Sequence, residues 1–200
     1  MTNLPIDAES AGSSTATLGK PVTLPVLVPK LLLAVRRQYR LDWPGLHGAA
    51  HWSRVLENGL RLCVATPGLR RDVVVLFALL HDACRHNDGH DEQHGLRAAE
   101  FAQRLHLDGH FILDSKGLDL LVEACCTHTG GRIPAHPTVM ACWDSDRLDL
   151  PRIRGLRVRP EWLGTAAARD SKLVAWATDR AHRSVFPWAE AFAEPLLATS

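Results

Sequence analysis

The fold is decided by the stretch VVVLFALLHD, residues 73–82. Its first eight residues are apolar, so the segment is expected to be buried on every side, either as a strand or as a helix. The segment from Asp72 to His86 is longer than a usual strand and has helical neighbours, which favours a central buried helix. A histidine and a carboxylate at the end of such a helix are costly to bury unless they are paired or bind a metal ion.

Helical patterns lie on both sides of this segment. Pro29 and Pro137 suit the first turn of a helix, whereas Pro67-Gly68 and Gly130-Gly131 suit helix ends. The sequence contains no internal repeat and no alternating strand pattern of any length. It therefore predicts an all-α fold, a single-domain helical bundle. The other predicted helices are 29–40, 47–65, 91–105, 116–128, 137–150 and 166–180.

The chain is expected to form one domain behind a short tail. Residues 1–25 are predicted to be disordered, because Ser, Thr, Ala and Gly dominate the first 20 positions and leave little to bury. The helical domain is predicted over residues 26–200, with the motifs in a core at 45–150 and further helices at 151–200. A length of 200 residues is typical of a single domain.

Composition excludes several classes of protein. Lys and Arg number 23 and Asp and Glu 22, so a general nucleic-acid binder is not expected, although a local basic pocket for one phosphate is. Five cysteines without a Cys-x-x-Cys pair indicate a reducing compartment rather than disulfides or a thiolate zinc site. The N-terminus lacks a secretory pattern, and the longest apolar runs are far short of a bilayer span. We therefore expect a cytoplasmic protein without a membrane partner.

Polar residues with metal-binding chemistry recur along the predicted helices. His47, His51 and Arg54 share one helix face by their spacing. The doublet His81-Asp82 offers nitrogen and oxygen ligands together, which suits Mn²⁺, Fe, Co, Ni or Zn. Arg85 follows one turn later, where its guanidinium could reach an anionic substrate.

Three further candidates lie C-terminal to the doublet. His94 falls in the first turn of its predicted helix, and His128 ends an apolar helix. In the segment 142–149, Asp146 and Asp149 share a helix face, while Asp144 points elsewhere. Acidic residues next to apolar ones suggest a partly buried carboxylate at Asp146.

The order of these residues resembles the HD superfamily of metal-dependent phosphohydrolases. That family has a His, then a His-Asp doublet, then a distant Asp, all on helices of one α-bundle. The matching segments here are HWSRV at 51–55, LHDACR at 80–85 and SDRLD at 145–149. The resemblance covers roughly residues 45–150 and implies an HD-type helical fold for the domain.

The resemblance also implies a metal centre. Its ligands would be His51, His81, Asp82 and Asp146, and some branches of the family add two histidines and hold two ions. His94 and His128 stand at suitable intervals for that role. The expected cofactor is one or two divalent ions, Mn, Fe, Co, Ni or Zn, with Mg as a further option.

The function implied is hydrolysis of a small phosphorylated substrate, a nucleotide or another phosphate ester, through a metal-activated water. Asp82 and Arg85 are the predicted catalytic residues, and Arg54, Arg85 and Arg147 are predicted to bind substrate. Arg85 stands where many family members carry a lysine, and the glutamate found after the doublet in some nucleotidases is absent. The sequence leaves open a homodimer, a di-iron oxygenase of the same superfamily and a non-catalytic nucleotide sensor.

Several of these histidines also have structural interpretations. His94 could belong to a helix cap with Asp91, and His128 could be placed by the helix dipole. His47 is expected to support His51 rather than bind metal. Residues 90–94, HDEQH, look like the zincin motif, but Asp replaces its Glu and the first His precedes the predicted helix, which disfavours that interpretation.

Overall fold

The computed structural model describes residues 29–131 and 134–186. Within them, every regular element is a helix, and no strand is present, so the predicted all-α class is confirmed. Two short 3₁₀ helices cover Leu150–Arg152 and Pro160–Trp162. The α-helices of this part of the chain are α1 (Pro29–Gln38), α2 (Ala49–Ala65), α3 (Arg71–Leu80), α4 (His94–Leu107), α5 (Ser115–Thr127), α6 (Pro137–Arg147) and α7 (Ser171–His182).

Helix α3 is the centre of the bundle. Residues 73–80 are buried, and α3 packs against α2, α4, α5 and α6. The α-helix ends at Leu80, not at His86 as predicted. Residues 81–84 form turns instead, with Ala83 N donating to the carbonyl of Leu80 and Arg85 N to that of Asp82. The end of the apolar run is therefore the end of the helix, and the His-Asp doublet lies in the turn that follows.

Two other predicted helix starts are shifted. Helix α2 begins at Ala49, because Gly48 has extended backbone and lies so close to the Trp43 carbonyl that a side chain would collide with it. His47 therefore precedes the helix. Helix α4 begins at His94, and Asp91 does not cap it, since the Asp91 carboxylate accepts from His86 N and pairs with Arg97.

Helix α5 begins with an aspartate N-cap, Asp114. Asp114 accepts a hydrogen bond from Gly117 N at 2.6 Å, and its carboxylate pairs with Arg70 at 2.9 Å. Arg70 also binds Asp72 at 2.7 Å in the first turn of α3. This ion-pair network ties the start of α5 to the start of α3.

The C-terminal part packs on the bundle through a second, smaller core. Leu62, Ala141 and Leu163 are buried there against α7. Arg180 of α7 pairs with Glu57 of α2 at 2.7 Å, which fixes α7 beside α2. The helix predicted at 166–180 is observed as α7 at Ser171–His182.

The predicted tail at 1–25 and the end of the chain beyond residue 186 lie outside the described residues. Among the helices that the structure describes, none combines the length and apolar character needed to cross a membrane.

Candidate metal centre

Three side chains from three parts of the bundle meet in a first cluster, His51, His81 and Asp146. His51 comes from α2, His81 from the turn after α3, and Asp146 from the last turn of α6. The two Nε2 atoms of the histidines lie 3.1 Å apart, and Asp146 Oδ1 lies 3.3 Å from His51 Nε2 and 3.8 Å from His81 Nε2. Ligands that share one metal at about 2.0–2.2 Å stand roughly this far apart.

A second cluster joins Asp82, His94 and His128. His94 is the first residue of α4, and His128 follows the last residue of α5. Their Nε2 atoms lie 2.8 Å apart, and Asp82 Oδ1 lies 3.3 Å from the first and 3.6 Å from the second. Helices α4 and α5 pack against each other, so the start of one meets the end of the other.

Asp82 links the two clusters. While its Oδ1 faces His94 and His128, its Oδ2 lies 3.7 Å from Nε2 of both His51 and His81. The side chain is only 4% exposed. One carboxylate therefore stands between two sets of ligands, as in a site where a carboxylate bridges two ions.

The outward nitrogen of each clustered histidine has a hydrogen-bond acceptor. Nδ1 of His51 faces the Asp149 carboxylate at 2.7 Å, and Nδ1 of His81 faces the Phe77 carbonyl at 3.1 Å. His128 uses the Cys125 carbonyl at 2.7 Å, and His94 uses the Asp91 carbonyl. Each acceptor places the proton on Nδ1 and leaves a lone pair on Nε2.

With the proton on Nδ1, the short distances between the Nε2 atoms of paired histidines need an explanation. Two Nε2 lone pairs cannot bond to each other, yet they lie 3.1 Å apart in one cluster and 2.8 Å apart in the other. A cation between each pair resolves that repulsion, and imidazole with carboxylate is the ligand set of divalent transition metals. The residues present therefore fit two metal ions that share Asp82.

Comparison with known proteins finds a similar fold among solved structures. No protein-family profile matches the chain. No curated protein matches it either. Among solved structures, the fold is similar to a protein described as a predicted HD superfamily hydrolase, from an uncultured Thermotogales bacterium. The identity is 25% and the TM-score 0.57, over 86% of this chain and 91% of the other.

The chain belongs to the HD-domain superfamily. The fold and the ordered His, His-Asp and Asp motifs support this assignment together, because the bundle brings the three motifs to one place. The six residues predicted as ligands all lie in the two clusters.

The electrostatics of this HD-domain site keep its carboxylates charged. Burial opposes ionisation of Asp82, but attraction to His81 and contacts with His128 and His47 hold its pKa well below the usual range. Burial lowers the pKa of His81 to about 3, so its imidazole is neutral at physiological pH. The pKa of Asp146 is also lowered, since His51 and His81 outweigh burial. Burial lowers the pKa of His128, but the Asp82 carboxylate outweighs burial and raises it, so a metal ion would displace a proton from His128.

Asp149 is a site residue to which sequence reasoning gave no role. It accepts from His51 Nδ1 at 2.7 Å, and Arg54 Nε donates to its other oxygen at 2.7 Å. Its position on the same helix face as Asp146 could have indicated from the sequence that it belongs to the site. A carboxylate behind a metal-binding histidine orients the ring and raises its basicity.

Arg54 is placed differently from the prediction. Its side chain is 5% exposed, and besides Asp149 it binds the Val185 carbonyl at 3.1 Å. It is not among the residues that line the cavity in front of the clusters. Because Arg54 contacts Asp149 and the backbone after α7, it holds the carboxylate behind His51, and its predicted contact with substrate stays a prediction.

Arg85 lies inside the second cluster. Its Nη1 is 3.3 Å from Asp82 Oδ1 and 3.0 Å from His94 Nε2, and its Nη2 donates to the Gly89 carbonyl at 2.8 Å. Arg85 Nη1 donates to the lone pair of His94 Nε2 in this structure, so the guanidinium would have to move aside for that nitrogen to bind a metal ion. The arginine thus places a fixed positive charge beside the carboxylate that joins the clusters.

His47 and Arg152 complete the rim of the site. His47 Nδ1 lies 2.8 Å from Asp82 Oδ2 and 3.3 Å from Arg152 Nη2. His47 therefore contacts the linking carboxylate, and its ring also lies edge-on to that of His51, the residue that it was expected to support, with centroids 6.2 Å apart. The zincin interpretation is not supported, because the His90 side chain is 84% exposed and pairs with Glu92.

A cavity of about 210 Å³ opens in front of the clusters. Arg147 borders it, with Nη1 bonded to the Trp162 carbonyl at 2.6 Å and Nη2 to the Gly131 carbonyl at 3.0 Å. Carboxylate, imidazole and guanidinium groups thus share one small space. Its lining residues are His47, Asp82, Arg85, His94, His128, Thr129, Asp146, Arg147, Leu150, Arg152, Ile153 and Trp162.

Proposed function

We propose that this HD-domain protein is a metal-dependent phosphohydrolase that acts on a small phosphate ester, with nucleotides as the leading candidates. The observation that carries the proposal is the Asp82 carboxylate, shared by two histidine clusters that border an arginine-lined cavity. The similar solved structure is itself described as a predicted hydrolase of this superfamily, which supports the reaction class.

The metal would be held by the residues of the two clusters. His51, His81 and Asp146 would hold one ion and His94 and His128 another, with Asp82 between them. Mn, Fe, Co, Ni and Zn suit these nitrogen and oxygen donors, and Mg is the further option. A divalent ion bound there supplies Lewis-acid polarisation of the phosphoryl group and activation of water.

The positive side chains of the cavity would receive the phosphate. Arg85, Arg147 and Arg152 reach the cavity from three different segments, so an anion there is surrounded rather than touched on one side. Each guanidinium stabilises charge that develops on the phosphoryl oxygens. Asp149 and Arg54 keep the His51 ring in its orientation throughout, since both are buried and hydrogen-bonded to each other.

The test is a metal-loaded assay with a matched pair of histidine variants. Purified protein, loaded in turn with Mn²⁺, Co²⁺, Ni²⁺ and Mg²⁺, is assayed for phosphate release from nucleotides, sugar phosphates and phosphodiesters. We expect turnover with at least one ion, and His94→Ala should lower kcat at least about 100-fold. His90→Ala, an exposed histidine four residues away, should leave it unchanged. No turnover with any ion in metal-loaded protein would overturn the proposal.

A second candidate function rests on the second cluster. Because His94 and His128 add a complete second ligand set, the site also suits two irons and oxygen chemistry. That function predicts two irons per chain and oxygen uptake with substrate, whereas the hydrolase predicts activity with redox-inactive ions. Tight nucleotide binding without any product would instead indicate a sensor.

A further inference from the structure

The cavity has two chemically different walls. One wall consists of the clustered carboxylates and histidines. A second wall comes from the segment after α6 and includes three large apolar residues, Leu150, Ile153 and Trp162. A binding site that combines a few fixed polar groups with an apolar surface is typical of small-molecule sites.

Trp162 is held firmly and yet remains half exposed. It ends the 3₁₀ helix Pro160–Trp162, its carbonyl accepts from Arg147 at 2.6 Å, and the next residue, Leu163, is fully buried. Trp162 as a whole residue is nevertheless 51% exposed. Since the backbone on both sides is anchored, the exposure of the ring is built into the fold.

The indole ring already stacks on a planar cation. The Arg159 guanidinium carbon lies 4.8 Å from the ring centroid. A guanidinium covers a single face of an indole, so the ring retains surface for a second planar group. Trp162 is also one of the residues that line the cavity, together with Asp82 and Asp146.

We propose that Trp162 is a specificity-determining residue that stacks on a planar aromatic part of the substrate. The inference rests on the proposed function: the phosphate would lie toward the clusters, Arg147 and Arg152, and the ring toward Trp162. A cavity of about 210 Å³ is small for a whole ligand of drug size, so the part beyond the phosphate lies at the mouth. The substrate class is therefore a phosphate ester that carries a nucleobase rather than a polyol.

The experiment compares binding of two ligands that differ only in the aromatic ring. One is the phosphonate analogue of adenosine monophosphate, whose carbon–phosphorus bond resists hydrolysis, and the other is the matching ribose phosphonate. Both are titrated calorimetrically into Mn²⁺-loaded wild type, Trp162→Ala, Trp162→Phe and Trp162→Leu, with the melting temperature of each variant as a folding check.

We expect Trp162→Ala to weaken binding of the adenosine ligand by roughly 5- to 100-fold and to leave the ribose ligand unchanged. Trp162→Phe should retain most of the affinity because it keeps an aromatic face. Trp162→Leu should resemble the alanine variant, since it keeps apolar area without such a face. Equal losses for both ligands, or unchanged binding of the adenosine ligand, would overturn the inference.

Failure of the inference and failure of the proposed function give different results. Suppose that the adenosine ligand binds more tightly than the ribose ligand, that Trp162→Ala abolishes this difference, and that the protein shows no phosphatase activity. This result would support the stacking role of Trp162 and overturn the proposed hydrolase function. Hydrolysis with the same KM for nucleotide and ribose phosphates would support the hydrolase and overturn the stacking role. No binding of either ligand would overturn the stacking role as well.

Discussion

The two clusters of the centre use the same ligand types but are supported in different ways. In the first, His51 is backed by the buried Asp149 carboxylate, which Arg54 holds in turn. In the second, His94 and His128 are backed only by backbone carbonyls. A carboxylate makes the imidazole a stronger ligand than a neutral carbonyl does. The first cluster should therefore bind its ion more tightly.

Their positions differ as well. The histidines of the first cluster are fully buried and do not border the cavity, whereas His94 and His128 do. We therefore expect an ion in the first cluster to exchange slowly and an ion in the second cluster to exchange more readily.

Asp82→Ala should give the largest effect, because its carboxylate serves both clusters. We expect metal analysis of the dialysed variant to show that both ions are lost. The phosphate-release assay should show no detectable activity. If the variant retained two ions per chain, Asp82 would not be the shared ligand.

The two clusters can then be separated with one histidine variant each. Calorimetric titration of metal-free wild type should show a tight step and a weaker step. His51→Ala should remove the tight step, and His94→Ala should remove the weaker one, with His90→Ala as the control that changes neither. The reverse assignment would contradict the comparison.

Asp149→Asn tests the support behind the first cluster. Asparagine retains an oxygen that can accept from His51 but lacks the charge, so the tight step should weaken by roughly 10- to 100-fold. The weaker step should be unaffected. Equal weakening of both steps would indicate general loss of structure rather than an effect on His51.

Asp144→Ala is the matched control for Asp146 on the same helix. The Asp144 carboxylate accepts from Gly164 N, Thr165 N and the Thr165 hydroxyl at 2.7–2.8 Å, away from the clusters. Its loss should leave these donors unpaired and lower the free energy of unfolding by about 2–3 kcal/mol, as measured in urea. Asp144→Ala should keep both metal-binding steps, whereas Asp146→Ala should lose the tight one.

The smallest effect is expected far from the centre, at the N-cap of α5. Asp114→Ala removes the acceptor for Gly117 N, and the melting temperature should fall by roughly 2–4 °C. Metal binding should not change. A larger change in the second cluster than in the first would show that the start of α5 influences His128 at its end.

The fold class could be predicted because apolar periodicity reports directly on burial. The run at 73–80 predicted the central helix, and only its end was placed too late, because the sequence does not show where a turn replaces a helical bond. The six ligand candidates were found by motif order. The distances that join His94 and His128 to Asp82 could not be predicted, since they depend on how α4 and α5 pack together.

The residues behind the ligands were harder to assign. The spacing of Asp149 shows which helix face it shares but not which residue it contacts. The sequence position of Arg54 is equally consistent with a substrate contact and with the buried ion pair that the structure shows. The apolar wall with Trp162 lies outside the motifs, where neither periodicity nor spacing indicates function.

The most direct test of the central claim is the anomalous scattering of crystals grown with Mn²⁺. The account predicts two manganese peaks per chain, one between His51, His81 and Asp146 and one between His94 and His128, with the Asp82 carboxylate in contact with both. A single peak, or two peaks of which only one contacts Asp82, would contradict it.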